Sequence, residues 1–192
     1  MTAAMSDCPS AEILTTDDLE KFPEDNVRRE LLDGVLLASP SPSSTHQIIA
    51  GRLMVALDED CPSDKAVTQN VDVYFSKLRS FAPDVLVITA AAARRTERPF
   101  MSHEVVLAVE IVSPTSVGMD RVAKPAFYAG AGIPYFWRIE TDGGIVVHTY
   151  KIDPVHETYQ PTGTFRDVIK TSEPWPITLP ISRLTPRLFP GS

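Results

Sequence analysis

A single acidic side chain at the end of an apolar strand constrains this chain more than any other feature. Val105-Val106-Leu107-Ala108-Val109 suits a strand buried on both faces, and Glu110 follows it directly, ahead of Ile111 and Val112. A carboxylate buried there is costly unless something pairs with it or it coordinates an ion. Ser113-Pro114 ends the strand, and Asp120 to Ala131 continues with helical spacing that carries Lys124. A second apolar piece, Tyr135 to Ile139, closes the segment. Any fold for this chain must therefore set an acid at the end of a central strand, beside a helix bearing a lysine.

The flanking sequence predicts the surroundings. Thr15 or Thr16 can cap a short helix through Lys21, with Asp17 and Asp18 at its positive end. Val27 to Leu32, Asp33-Gly34 and Val35 to Ala38 make the clearest hairpin signal. Ser39-Pro40-Ser41-Pro42-Ser43 breaks the second strand, and a helix is expected from about Ser44 to Glu59. Its apolar stripe reads Ile48, Ile49, Leu53, Val55, Ala56 and Leu57. Val67 to Phe75 predicts one strand and Phe81 to Ile88 another, with Pro83 near its start, where a missing donor costs least. Ala90 to Met101 reads as a loop or short helix, and Asp142-Gly143-Gly144 turns a second hairpin. This order of elements points to an α/β or α+β fold with a mixed sheet flanked by helices.

At 192 residues and 43% hydrophobic, the chain can bury one sizeable core. We expect a disordered tail over residues 1–12 and a single domain over 13–192. The net charge of −7 disfavours broad, sequence-independent nucleic-acid binding, which needs a basic field. It leaves room for a small cleft that handles phosphate with one metal ion and a few cations. Cys8 and Cys61 fit neither zinc spacing nor a disulfide framework, and no run of 18 apolar residues exists. A soluble, cytoplasmic protein is the expectation. Other chemistries lack their residues. His103-Glu104 has Leu107 where a zinc helix needs its second histidine, and neither a G-x-S-x-G elbow nor a phosphate-cradling glycine loop is present.

Three acids and one lysine remain: Glu30 before the hairpin turn, Asp84 after Pro83, Glu110 and Lys124. Adjacent strands would bring Asp84 and Glu110 side by side, and two crowded carboxylates are most cheaply reconciled by a divalent cation. Magnesium takes oxygen ligands, acidifies water and neutralises charge on phosphate, while a nearby ammonium holds the phosphate or orients the water. Each residue also has an ordinary reading. Glu110 would be salt-bridged, Asp84 would cap a turn, Glu30 would pair on a surface strand with Arg28 and Arg29, and Lys124 would pair with Asp120 one turn away. Asp120, Lys124 and Tyr128 share one helical face. His46 opens a helix and either approaches the cleft or simply caps and packs.

Pro83-Asp84 followed by Glu110 resembles the PD-(D/E)XK nuclease superfamily, and the chain resembles more closely its restriction-endonuclease family of the Uma-two type. The matching pieces are Glu30-Leu31-Leu32-Asp33-Gly34, Ser39-Pro40 with His46, Pro83-Asp84-Val85, Val109-Glu110-Ile111-Val112-Ser113-Pro114, Asp120-Arg121 with Lys124 and Tyr128, and Gly132 to Trp137. They run in order from about residue 13 to 140.

The resemblance implies a restriction-endonuclease-like core with an N-terminal β-hairpin. It implies catalytic Glu30, Asp84, Glu110 and Lys124, with Asp84, Glu110 and Ile111 in the metal-ligand set, Mg²⁺ as the cofactor and Mn²⁺ as a substitute. The implied reaction is hydrolysis of DNA phosphodiester bonds by metal-activated water. Homodimerisation is a further expectation, prompted by the apolar hairpin Val35 to Ala38. Two departures support an alternative, a catalytically inactive binding or assembly module of the same fold. The superfamily's lysine position, two residues after the second acid, is Val112, and Pro125 directly follows the replacement Lys124. A basic side chain buried among the acids as a permanent counter-charge would also argue against the nuclease reading.

Overall fold

The computed structural model describes residues 13–23, 25, 27–39, 41–95, 99–114 and 116–186, so the expected tail lies outside the described residues. Thr15 caps the short helix α1 (Thr16–Leu19). Strands β1 (Arg28–Leu32) and β2 (Val35–Ser39) form the expected hairpin, with Leu32 opposite Val35 and Arg28 opposite Ser39. Asp33 and Gly34 both take positive φ, +50° and +83°, the geometry that matches a two-residue turn to the strand twist. Helix α2 (Ser44–Asp58) is capped by Ser43, which accepts from the His46 N–H. Its buried stripe is narrower than the sequence suggests: Ile49, Ala50, Leu53 and Leu57 face inward, whereas Ile48 and Val55 are exposed.

The two long strands expected next are each divided. Val67 to Phe75 becomes β3 (Lys65–Thr68) and β4 (Val73–Ser76), separated where Asn70 takes φ +51°. Phe81 to Ile88 becomes the end of β5 (Arg79–Phe81) and β6 (Val85–Thr89). Pro83 lies in the gap, where its missing N–H interrupts no ladder. Each division sends its halves to different sheets. After α3 (Ala90–Ala93) and β7 (Phe100–Met101), the apolar run forms β8 (Val105–Ile111). A π-helical turn, Met119–Ala123, then runs into α4 (Lys124–Gly130). The remaining strands are β9 (Tyr135–Glu140), β10 (Val146–Asp153), β11 (Thr158–Phe165), β12 (Val168–Thr171) and β13 (Ile177–Pro180).

One sheet has the order β2-β1-β5-β4-β7, a second β11-β10-β9-β8-β6-β3, and β12 pairs with β13. Within the six-stranded sheet, β8 and β9 are parallel and the other pairs antiparallel. Its two faces are covered differently, as the strand period of two requires. Val85, Val87, Leu107, Val109, Ile111, Trp137 and Ile139 pack with α2, and Leu86, Ile88, Ala108 and Phe136 pack with Tyr128 of α4 and Phe81 of the first sheet. Glu110 shares a face with Ala108, so β8 aims its carboxylate at α4 and the hairpin sheet. None of the described helices is long and apolar enough to cross a membrane.

Candidate active site

The site forms where the hairpin, α2, β6, β8 and α4 meet around a cavity of about 650 Å³. Antiparallel pairing of β6 with β8 sets Val85 opposite Val109, which brings Asp84 alongside Glu110 as expected. Alternation along β1 turns Arg28 and Glu30 to one face and Arg29 to the other, where it binds Asp25 and covers the Phe22 ring. Glu30 is therefore buried in the cavity wall, and the surface-pairing reading of it is corrected.

Lys124 links the acids. Its Nζ lies 2.9 Å from Oε1 of Glu30, 3.2 Å from Oε1 of Glu110 and 3.7 Å from Oδ1 of Asp120. The local turn, Lys124 with Asp120, is thus the longest of its three contacts. Pro125 sits in the first turn of α4, where a missing donor is tolerated, and the Lys124 N–H reaches the Met119 carbonyl across the wider π turn. Lys124 keeps helical backbone, and its side chain enters the cavity. Val112, at the superfamily's usual lysine position, is buried and apolar.

The remaining partners fix each carboxylate. The Tyr128 hydroxyl donates to Oε1 of Glu110 at 2.5 Å, and no hydrogen bond reaches Oε2 among the described residues. Asp84 Oδ2 accepts from the Ile111 N–H at 2.8 Å and lies 3.0 Å from His46 Nε2, while Oδ1 accepts from Arg28 Nη1 at 2.9 Å. Arg28 Nη2 also donates to Glu30 Oε1 at 3.2 Å, and the Ala82 N–H donates to the same oxygen at 3.1 Å. Asp120 accepts from the Ser116 hydroxyl. Ile111 thus reaches the site through its backbone, which lines the cavity beside Asp84.

These contacts drive the acids apart electrostatically. Burial pushes the Glu110 carboxyl up to about 8, with Asp84 and Asp120 adding to it against the pull of Lys124. Burial also acts on Asp84, but the His46 hydrogen bond and the Arg28 charge prevail and hold it near about 2. Lys124 loses some basicity to burial and regains more from Glu110 and Glu30, so it stays firmly charged.

Among the residues here, Arg28 carries no motif signal, because in the sequence it reads as one of two adjacent arginines on a surface strand. Its spacing two residues before Glu30 was the available clue. His46, one of whose two readings was an approach to the cleft, makes that approach. The crowding that a divalent cation was expected to relieve most cheaply is met in part by Arg28 on Asp84 and Lys124 on Glu110, the kind of buried basic counter-charge that counts against the nuclease reading. They do not suffice. Counted formally, four carboxylates (Glu30, Asp84, Glu110, Asp120) face two permanent cations (Arg28, Lys124), and because burial favours the protonated form of Glu110 the acidic excess at neutral pH is smaller than two charges. Hard oxygen donors of this kind suit a divalent ion, although among the described residues no three His, Cys, Asp or Glu side chains converge as a metal-holding group.

A family model described as "Uma2: Putative restriction endonuclease" matches residues 16–181. Among solved structures, the chain is similar to one described as "a putative nuclease belonging to DUF820 from Anabaena variabilis ATCC 29413". The TM-score is 0.68 and the identity 20%, covering 89% of this chain and 97% of that one, a likeness that shows the shared fold. No curated protein matches.

Proposed function

The chain belongs to the Uma2 family, and on that premise we propose that it is a Mg²⁺-dependent endonuclease that hydrolyses DNA phosphodiester bonds in the cytoplasm, with Mn²⁺ able to substitute. One observation carries the reading: Glu30, Asp84, Glu110 and Lys124, dispersed over 95 positions of sequence, line one cavity whose acids outnumber its permanent cations. Asp84 and Glu110 would hold the ion through carboxylate oxygens, and Ile111 through its carbonyl oxygen. When bound, such an ion supplies a Lewis acid that acidifies water and neutralises phosphate charge.

The chain's own groups do the rest. Lys124 keeps its proton and offers an ammonium to the charge that grows on the phosphate oxygens. Glu30 holds that ammonium in place from the opposite wall. Tyr128 ties down one oxygen of Glu110 and leaves the other free for the cavity. His46 and the Ile111 N–H orient the Asp84 carboxylate.

Incubation of the purified chain with supercoiled plasmid tests this. Cleavage with Mg²⁺ or Mn²⁺, abolished by chelator and by Asp84→Ala, is the expected result. Persistent inertness with both ions, or equal cleavage by Asp84→Ala, would contradict it. The alternative, a binding module without catalysis, draws on Arg28 and Lys124 as counter-charges already in place. Calorimetry separates the two, because a disarmed site takes up no Mg²⁺ or Mn²⁺. We further propose homodimerisation along β2, an edge strand that exposes Val35, with a dimer expected in sedimentation and a monomer contradicting it.

A further inference from the structure

Arg28 differs from every other partner of the acids in what it could release. Its guanidinium spans two of them, donating to Oδ1 of Asp84 at 2.9 Å and to Oε1 of Glu30 at 3.2 Å. The other oxygen of Asp84 is committed to the Ile111 N–H and the His46 ring. Oδ1 is thus the Asp84 oxygen whose partner is a permanent cation. A divalent ion coordinated by Asp84 would compete with that guanidinium for the same lone pairs, and two positive charges so close repel.

The side chain also has freedom that Lys124 lacks. Its Nε is buried without a hydrogen-bond partner, and its side chain is 19% exposed against 5% for Lys124. It separates the site from a second cavity of about 610 Å³, where Asp25 and Asp72 lie on the wall. A guanidinium leaving Asp84 therefore has space to enter, on a wall where Asp25 is already held by Arg29.

We propose that Arg28 is a resident counter-ion of the cation site: guanidinium and divalent ion exchange at Asp84, and loading of the ion turns Arg28 toward the second cavity while Lys124 stays in place. The inference rests on the cation-dependent reading above and adds a gate to it. Arg28 offsets part of the negative charge of the empty site, and it lowers the affinity for the ion.

Titration of the full chain with Mn²⁺ by calorimetry tests the exchange in wild type, Arg28→Gln and Arg28→Lys. Removing the charge in Arg28→Gln is expected to lower the Kd at least ~10-fold, whereas Arg28→Lys, which keeps it, should stay within about 3-fold of wild type. An Arg28→Gln protein that is folded by circular dichroism yet binds Mn²⁺ equally or more weakly overturns the proposal, as does Arg28→Lys binding as tightly as Arg28→Gln. Should Arg28→Gln not fold, wild type decides through its Arg28 Nε–H resonance, assigned by its loss in Arg28→Lys. That resonance is expected to move as Mg²⁺ saturates the site, and a stationary one contradicts the exchange. If wild type takes up no ion at all, the nuclease reading falls together with this one. If wild type binds and Arg28→Gln binds no more tightly, only the role of Arg28 falls.

Discussion

Lys124 on α4 and Glu30 on β1 meet at 2.9 Å, although one lies on the crossover between β8 and β9 of the six-stranded sheet and the other belongs to the hairpin sheet. The contact ties the two walls of the cavity through a pair that water barely reaches. Lys124→Met would leave Glu30 and Glu110 buried without their shared counter-charge, a loss of roughly 3–5 kcal/mol. Urea unfolding at neutral pH should show it. The double variant Lys124→Met/Glu30→Gln should recover part of the loss, because Glu30 no longer brings a charge that Lys124 had offset. Additive effects of the two changes would contradict the coupling.

Tyr128→Phe isolates the hydroxyl that fixes Glu110. The aromatic packing against Phe75, Phe81 and Phe136 is retained, while a buried carboxylate oxygen loses its donor. The expected cost is about 1–3 kcal/mol in denaturant midpoint measurements. Plasmid cleavage should slow as Glu110 loses its orientation, and wild-type stability together with a wild-type rate would count against the role.

In chelator, the acids of the site give stability a defined pH dependence. Glu110 is raised from its ordinary 4.5 to about 8, so the folded protein holds a proton that the unfolded chain releases across that interval. Stability from this group is complete below 4.5 and declines as pH rises toward 8. Asp84 is depressed from 3.8 to about 2 and has the opposite sign: its contribution is present above 3.8 and lost as pH falls toward 2. Urea midpoints between pH 5 and 8 should therefore fall for wild type and flatten for Glu110→Gln. Parallel profiles for the two proteins would contradict this.

The hairpin turn positions Arg28 and Glu30 from a distance. A Cβ at Gly34 would run into Cγ2 of Ile13, and φ there is +83°. Gly34→Ala should cost roughly 1–3 kcal/mol in thermal or urea unfolding. The predicted Mn²⁺ affinity should survive wherever the variant remains folded, since no site residue changes. Unaltered stability would mean that the turn relaxes more freely than its packing against Ile13 suggests.

Much of this was legible along the chain because local physics announced it. Glu110 is conspicuous as a charge in an apolar run, Asp33-Gly34 as a turn pair, and the Ser/Pro run ending at Ser43 as the break ahead of α2. The splitting of Val67 to Phe75 and of Phe81 to Ile88 was not legible, because which sheet each half joins depends on partners far away in sequence. The strand pattern looks the same either way. For the same reason Glu30 reads as a surface residue beside Arg28 and Arg29, although alternation sets Arg28 and Glu30 on one face and Arg29 on the other, with Glu30 buried and both arginines half-buried. The excess of acid over base in the cavity emerges only when α4 closes over β8.

Anomalous diffraction from a crystal soaked in Mn²⁺ tests the central claim most directly. The account predicts one strong peak coordinated by both Asp84 and Glu110, with Arg28 no longer on Oδ1 of Asp84. No peak at saturating Mn²⁺, with Arg28 and Lys124 unmoved among the acids, would contradict it.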